Sequence, residues 1–100
     1  EAYNKTINDL KATEWFEIGY KFIIAERWKE ALDAYTKAIE LDPQYATAYN
    51  NRGVAYAKLG NHNQAIKDYN KTIKINPQYA MAYNNRGGSP MPSLATTIRR

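Results

Sequence analysis

The sequence predicts an all-α fold made of stacked antiparallel helix pairs. The first observation is a repeat of 34 residues, which separates Pro43 from Pro77 and Tyr35 from Tyr69. The second is that apolar residues inside each repeat recur at spacings of three and four, the pattern of an amphipathic helix. A fixed period of this length is typical of helical units that bury their apolar faces against neighbouring copies. We therefore predict a solenoid in which each unit contributes two helices.

The first complete unit is predicted to hold helices over residues 12 to about 25 and 27–41. Trp15 and Phe22 mark the buried stripe of the first helix. The second helix is expected to end at Asp42-Pro43, because proline disfavours helical backbone in the residue before it and has no N–H to donate.

The second unit repeats this plan, with predicted helices over residues 46–59 and 63–75 around a turn at Gly60-Asn61. Asparagine is a favoured residue at helix starts because its side chain can accept a hydrogen bond from an unpaired backbone N–H. We therefore expect Asn61 or Asn63 to cap the last helix.

A glycine recurs inside the first helix of each unit, at Gly19, Gly53 and Gly87. Glycine inside a helix costs about 1 kcal/mol relative to alanine, so its return predicts a close approach of the second helix. The residues assigned to packing are Trp15, Gly19, Phe22, Ala31, Tyr35, Ala38 and Pro43 in the first unit and Tyr49, Gly53, Tyr56, Ala65, Tyr69 and Pro77 in the second.

The repeat also predicts how the rest of the chain is organised. Tyr3-Asn4-Lys5-Thr6-Ile7 is identical to residues 69–73, so the chain opens on the end of a preceding unit, whereas Gly88-Ser89-Pro90-Met91-Pro92 interrupts the pattern. The predicted segments are a partial second helix (1–11), two repeats (12–45 and 46–79), the start of a third repeat (80–87) and a flexible tail (88–100).

These positions resemble the tetratricopeptide repeat, a 34-residue helix-turn-helix unit. The signature aromatic, aliphatic, Gly, aromatic, Ala, aromatic, Ala and Pro positions of the family are matched in the first unit by Trp15, Ile18, Gly19, Phe22, Ala31, Tyr35, Ala38 and Pro43. In the second unit, Arg52 replaces the usual aliphatic residue and Thr72 the usual Ala, which loosens the match. In the first unit, Glu26 stands where the inter-helix Gly normally lies.

The resemblance implies a right-handed superhelix whose first helices line a concave groove that binds a protein or peptide partner. Residues rotated by about 100° from the packing stripe should line that groove. They are Phe16, Tyr20 and Ile23 in the first unit, Asn50 and Val54 in the second, and Asn84 in the third. Thr13, Thr47 and Met81 lie near the edge of this stripe, and Asn51 and Asn85 flank it. An alternative is that Phe16, Tyr20 and Ile23 pack within the stack instead.

The groove is expected to be aromatic and aliphatic at one end and rich in amides at the other. Asparagine can bond both donors and acceptors of a peptide backbone, and aromatic residues can anchor apolar side chains. Relatives that grip an acidic chaperone tail use a clamp of Lys, Asn and Arg, and Phe16, Tyr20, Asn51, Met81 and Asn85 stand in its places. Only Asn51 fits that clamp, so we predict that this chain does not bind such tails.

Composition favours a noncatalytic module. The chain has no Cys and one His, His62, which occupies the repeat position of Trp28. No convergent metal ligands, nucleophile with a base, or phosphate loop is present, so no catalytic residue, metal or cofactor is expected. No apolar run approaches the roughly 20 residues of a membrane span and no leader is visible, so a cytoplasmic location without a membrane partner is expected.

The charge of +4 is unevenly distributed. Residues 1–45 hold nine acidic and six basic side chains, whereas residues 46–100 hold one acidic side chain and eight basic ones. Two open repeat ends and this asymmetry suggest, as an alternative function, self-assembly by domain exchange or head-to-tail association. RNA binding through Lys58, Lys67, Lys71 and Lys74 is a weaker alternative, because the related RNA readers have a period one residue longer.

Overall fold

The computed structural model describes residues 9–79 and 84–85, and within them the chain is all α-helical. The four helices are α1 (Ala12–Ile24), α2 (Trp28–Leu41), α3 (Ala46–Lys58) and α4 (His62–Ile75). Each predicted helix end lies within one residue of the observed one. The predictions for residues 1–8, 80–83 and 86–100, which include Met81 and the tail, lie outside the described residues.

The turn inside each helix pair is closed by two backbone hydrogen bonds. In the first pair, the N–H of Arg27 donates to the carbonyl of Phe22 at 2.9 Å, and in the second the N–H of Asn61 donates to that of Tyr56 at 2.8 Å. This is the Schellman arrangement, which needs one residue with positive φ after the helix. Gly60 adopts it in the second pair, with φ of 84°, and the equivalent residue of the first pair, Glu26, adopts a φ of 59°.

The expected cap of α4 is not made by a side chain. Asn61 does occupy the N-cap position, but its side chain forms no capping hydrogen bond. Asn63 lies within the first turn of the helix rather than before it. The prediction of a side-chain cap is therefore wrong, because the Schellman turn of α3 holds Asn61 through its backbone and leaves the side chain exposed.

The turns that follow the second helices are also alike. The side chain of Asp42 accepts a hydrogen bond from the N–H of Gln44, and that of Asn76 accepts one from the N–H of Gln78, both at 3.1 Å. Such local bonding stabilises the turn that proline begins. The same kind of turn therefore follows both α2 and α4.

Close packing occurs where the glycines lie. A Cβ added to Gly19 would lie 2.9 Å from ring carbons of Tyr35, and one added to Gly53 would lie 2.5 Å from the ring of Tyr69. The glycine thus lets a tyrosine ring of the second helix lie against the backbone of the first. The apolar core lies between α1, α2 and α3 and is built on Ala31, Tyr35, Ala38, Ala48 and Ala55.

Candidate functional site

The candidate site is the surface shared by the first helices, α1 and α3, which contact each other directly. On α1, Thr13 is exposed and Tyr20 is 52% exposed. On α3, Thr47, Asn51 and Val54 are half-buried, while Asn84 and Asn85 beyond α4 are exposed. Each of these side chains therefore keeps at least part of its surface accessible.

Two of the predicted groove residues on α1 are partly enclosed by the core. The Phe16 ring packs edge-on against Tyr35, with centroids 5.5 Å apart, and stacks on Tyr45 at 5.1 Å. Ile23 is also half-buried against the core. Tyr20 therefore presents the largest free aromatic area on this side of the site.

The amide side is a chain of hydrogen bonds between side chains. Asn85 Nδ2 donates to Asn50 Oδ1 at 3.1 Å, Asn50 Nδ2 donates to Asn51 Oδ1 at 3.3 Å, and Asn51 Nδ2 donates to the Tyr35 hydroxyl at 3.1 Å. Asn50 is fully buried in the middle of this chain. The chain fixes the orientation of the Asn51 amide, because both ends of that amide have a partner.

The Tyr35 hydroxyl at the end of this chain belongs to a buried side chain of α2. Burial raises the pKa of Tyr35 to about 12, although the hydrogen bond from Asn51 acts in the opposite direction. The hydroxyl is therefore protonated at neutral pH. It accepts from Asn51 and does not supply a proton-transfer group.

Behind the site, Arg52 of α3 forms a charged pair that the sequence analysis did not predict. Its Nε and Nη2 each donate to a different carboxylate oxygen of Asp68, both at 2.8 Å, and its Nη1 donates to the Thr36 hydroxyl at 3.2 Å. These hydrogen bonds to the Asp68 carboxylate raise the pKa of Arg52 above its usual value. The guanidinium thus joins α3 both to α4 of its own pair and to α2 of the preceding pair.

A signal for this pair was present in the 34-residue offset. Ile18, Ala34 and Ala38 of the first unit become Arg52, Asp68 and Thr72 in the second, so an apolar set is exchanged as a whole for a polar one. The buried Thr72 hydroxyl is satisfied as well, since it lies 3.0 Å from the Asp68 carbonyl and 3.1 Å from that of Ala46. Arg52 and Thr72 each depart from the family pattern when considered alone. In the structure each of these polar side chains has hydrogen-bond partners.

The described residues contain no group of three or more His, Cys, Asp or Glu side chains placed to hold a metal ion. Nor does any of the described helices have the length and apolar character needed to cross a membrane. What the surface between α1 and α3 does offer is an oriented amide, an exposed tyrosine and further amides at its edge.

A fold of stacked helix pairs with this surface defines the class of helical-repeat protein-interaction modules. A family model for the tetratricopeptide repeat matches residues 46–79, and a second model for the same repeat matches residues 19–60. The Arabidopsis OM64 TPR domain is 30% identical with a TM-score of 0.75, over 88% of this chain and 69% of that one. The chain belongs to the tetratricopeptide repeat family.

Two further relatives are informative. The human small glutamine-rich tetratricopeptide repeat-containing protein beta is 43% identical over 52 residues, which are 52% of this chain and 17% of that protein. The first TPR of Spaghetti (RPAP3), solved with the HSP90 peptide SRMEEVD, is 34% identical with a TM-score of 0.76, over 79% of this chain and 63% of that one. The chain thus spans less than a fifth of the human relative.

Proposed function

We propose that this chain is a noncatalytic module that binds an extended peptide or helix of a partner protein on the surface between α1 and α3, and that it acts in the cytoplasm. The observation that carries the proposal is the hydrogen-bonded amide chain from Asn85 to Asn51, beside the exposed Tyr20. The peptide complex of the Spaghetti (RPAP3) TPR supports it as a function of a related fold.

Asn51 is the residue expected to contact the peptide backbone. Its amide is oriented by Asn50 on one side and by the Tyr35 hydroxyl on the other, so little side-chain entropy is lost on binding. Asn50 is fully buried, and its role is to position Asn51 rather than to touch the ligand. Tyr20 supplies a large amphipathic surface against which an apolar ligand side chain can pack.

The ligand is expected to differ from an acidic chaperone tail. Phe16 and Tyr20 stand on α1 where the sequence comparison with clamp-forming relatives calls for basic and amide side chains. Glu17 is exposed on the same helix. A peptide with several carboxylates therefore lacks the basic partners that fix it, and we expect selection for apolar residues that flank an uncharged backbone.

The test is selection from a displayed library of random peptides, followed by titration of the enriched peptides by fluorescence anisotropy. Variants Tyr20→Ala and Asn51→Ala are compared with Lys29→Ala, a control at an exposed position of α2. We expect each groove variant to weaken binding by roughly tenfold, the loss typical of an anchoring residue, and the control to leave it unchanged.

The SRMEEVD peptide is titrated in parallel and should bind more weakly than the enriched peptides. If selection on this chain enriches no peptide beyond those enriched by selection on an unrelated helical protein, the proposed peptide-binding function is wrong. If enriched peptides bind equally well to wild type and to both groove variants, then the location of the site is wrong.

A further inference from the structure

The second repeat has lost the exposed carboxylates of the first. All seven acidic residues in residues 12–45 are replaced 34 positions later by residues without a negative charge. The replaced residues are Glu14, Glu17, Glu26, Glu30, Asp33, Glu40 and Asp42, and their counterparts are Ala48, Asn51, Gly60, Gln64, Lys67, Lys74 and Asn76. The one acidic residue within residues 46–79, Asp68, has a side chain only 7% exposed that is paired with Arg52.

The charge change is concentrated on α4. Lys67, Lys71 and Lys74 are spaced four and three residues apart, so they form a stripe about 10 Å long on one side of the helix. Lys67 and Lys74 are exposed, and the Nζ of Lys71 lies 5.9 Å from the centroid of the Tyr49 ring. These three residues are called the lysine stripe below.

The equivalent positions of α2 show that the helix itself does not require this stripe. They hold Asp33, Lys37 and Glu40, and the Lys37 ammonium lies 3.9 Å from the Glu40 carboxylate. The same face is therefore of mixed charge in the first pair and purely cationic in the second. Because α4 buries Ala65, Asp68, Tyr69 and Thr72, Lys67 and Lys74 are turned away from α3. Lys71 is half-buried and lies beside Tyr49 of α3.

We propose that the lysine stripe on α4 is a second binding surface, separate from the surface between α1 and α3, and that it takes an acidic segment of a partner protein. Charge complementarity is the argument: the exposed Lys67 and Lys74 and the half-buried Lys71 carry three positive charges along about 10 Å of helix, and no exposed carboxylate of residues 46–79 competes with a ligand for them. An acidic segment is favoured over a nucleic acid, because Tyr69 on α4 is buried and offers no ring on which a base can stack.

The test uses a fluorescein-labelled decaglutamate peptide, with anisotropy measured at low and at high salt. The double variant Lys67→Asp with Lys74→Glu restores the residues that the first repeat carries at these positions, so the helix is expected to fold. The matched control is Lys29→Asn, which removes one exposed lysine of α2 and inserts the residue that the second repeat carries there.

We expect wild type to bind the peptide at low salt, the double variant to bind roughly tenfold more weakly or worse, and Lys29→Asn to stay within about twofold of wild type. Binding of the library-selected groove peptides should be unchanged in the double variant, which separates the two surfaces. Equal decaglutamate binding by wild type and the double variant would overturn the proposal. The proposal would also be overturned if decauridylate bound to the lysine stripe more tightly than decaglutamate. The same holds if light scattering showed that the wild-type chain self-associates and that the double variant does not.

Discussion

The charged pair between Arg52 and Asp68 allows a quantitative test of how the second repeat is held together. The change to make is Asp68→Ala, which leaves the guanidinium without its two 2.8 Å hydrogen bonds. The Arg52 side chain is 18% exposed and that of Asp68 is 7% exposed, so water can replace only part of what is lost. The variant should therefore be much less stable than wild type.

The magnitude follows from the burial of the pair. Removal of one partner from a buried ion pair costs about 3–5 kcal/mol, because the remaining charge is uncompensated. Arg52 is partly exposed, and its guanidinium carbon lies 5.7 Å and 5.8 Å from the ring centroids of Tyr49 and Tyr56, which soften the loss. We therefore expect a cost at or just below the lower limit of that range, about 2–3 kcal/mol.

The decisive variant is the double one, Arg52→Ile with Asp68→Ala, which installs the apolar residues found at Ile18 and Ala34 of the first repeat. Replacement of a buried pair by apolar residues is often neutral, so the double variant should lie within about 1 kcal/mol of wild type. Urea unfolding followed by circular dichroism at 222 nm measures the free energy of unfolding of wild type, of the two single variants and of the double variant. A double variant that costs as much as the sum of its two single variants would refute the coupling.

Three further predictions rest on single residues. Gly53→Leu should lower the melting temperature far more than Lys67→Leu, because a Cβ at Gly53 already meets the Tyr69 ring at 2.5 Å whereas Lys67 is exposed; equal melting temperatures would contradict the packing described here. Glu26→Gly should raise the free energy of unfolding by about 0.5–1 kcal/mol, since glycine adopts a φ of 59° without strain, and an unchanged urea midpoint would count against it. Burial raises the pKa of Tyr35 from 10.0 to about 12, so the stability that it contributes is complete below pH 10 and is lost as the pH rises towards 12; Tyr35→Phe should lose less stability than wild type between pH 9 and pH 11.5.

The sequence was sufficient for the helices because their signals are local or periodic. Proline at Pro43 and Pro77, the glycine turn at Gly60 and the apolar spacing each determine backbone within a few residues. The family comparison confirms the predicted fold and the membership of the tetratricopeptide repeat family. The location of the peptide-binding surface stays a prediction, as does the assignment of residues to it.

The interactions that the sequence analysis missed are hydrogen bonds between polar side chains that lie far apart in the chain. The bond from Arg52 to Asp68 joins residues 16 apart, and that from Asn85 to Asn50 joins residues 35 apart, so neither appears in a helical pattern. Asp68 was counted as the single acidic residue of the basic half, and Asn50 as a groove residue, whereas both are buried. Hydrophobic periodicity does not indicate such positions, because in the sequence a buried polar residue cannot be distinguished from an exposed one.

The Arg52 and Asp68 variants also give an independent test of the lysine stripe. Asp68→Ala removes the last negative charge of the second repeat, whereas the double variant with Arg52→Ile removes one charge of each sign and leaves the net charge unchanged. If the lysine stripe binds acidic segments electrostatically, decaglutamate should bind to Asp68→Ala at least as tightly as to wild type, measured well below the melting temperature of the variant. It should bind with wild-type affinity to the double variant Arg52→Ile with Asp68→Ala. Stability and affinity would then change in opposite directions in the single variant. Weaker decaglutamate binding by a folded Asp68→Ala protein would show instead that the stripe depends on the geometry of α4 and not on its charge.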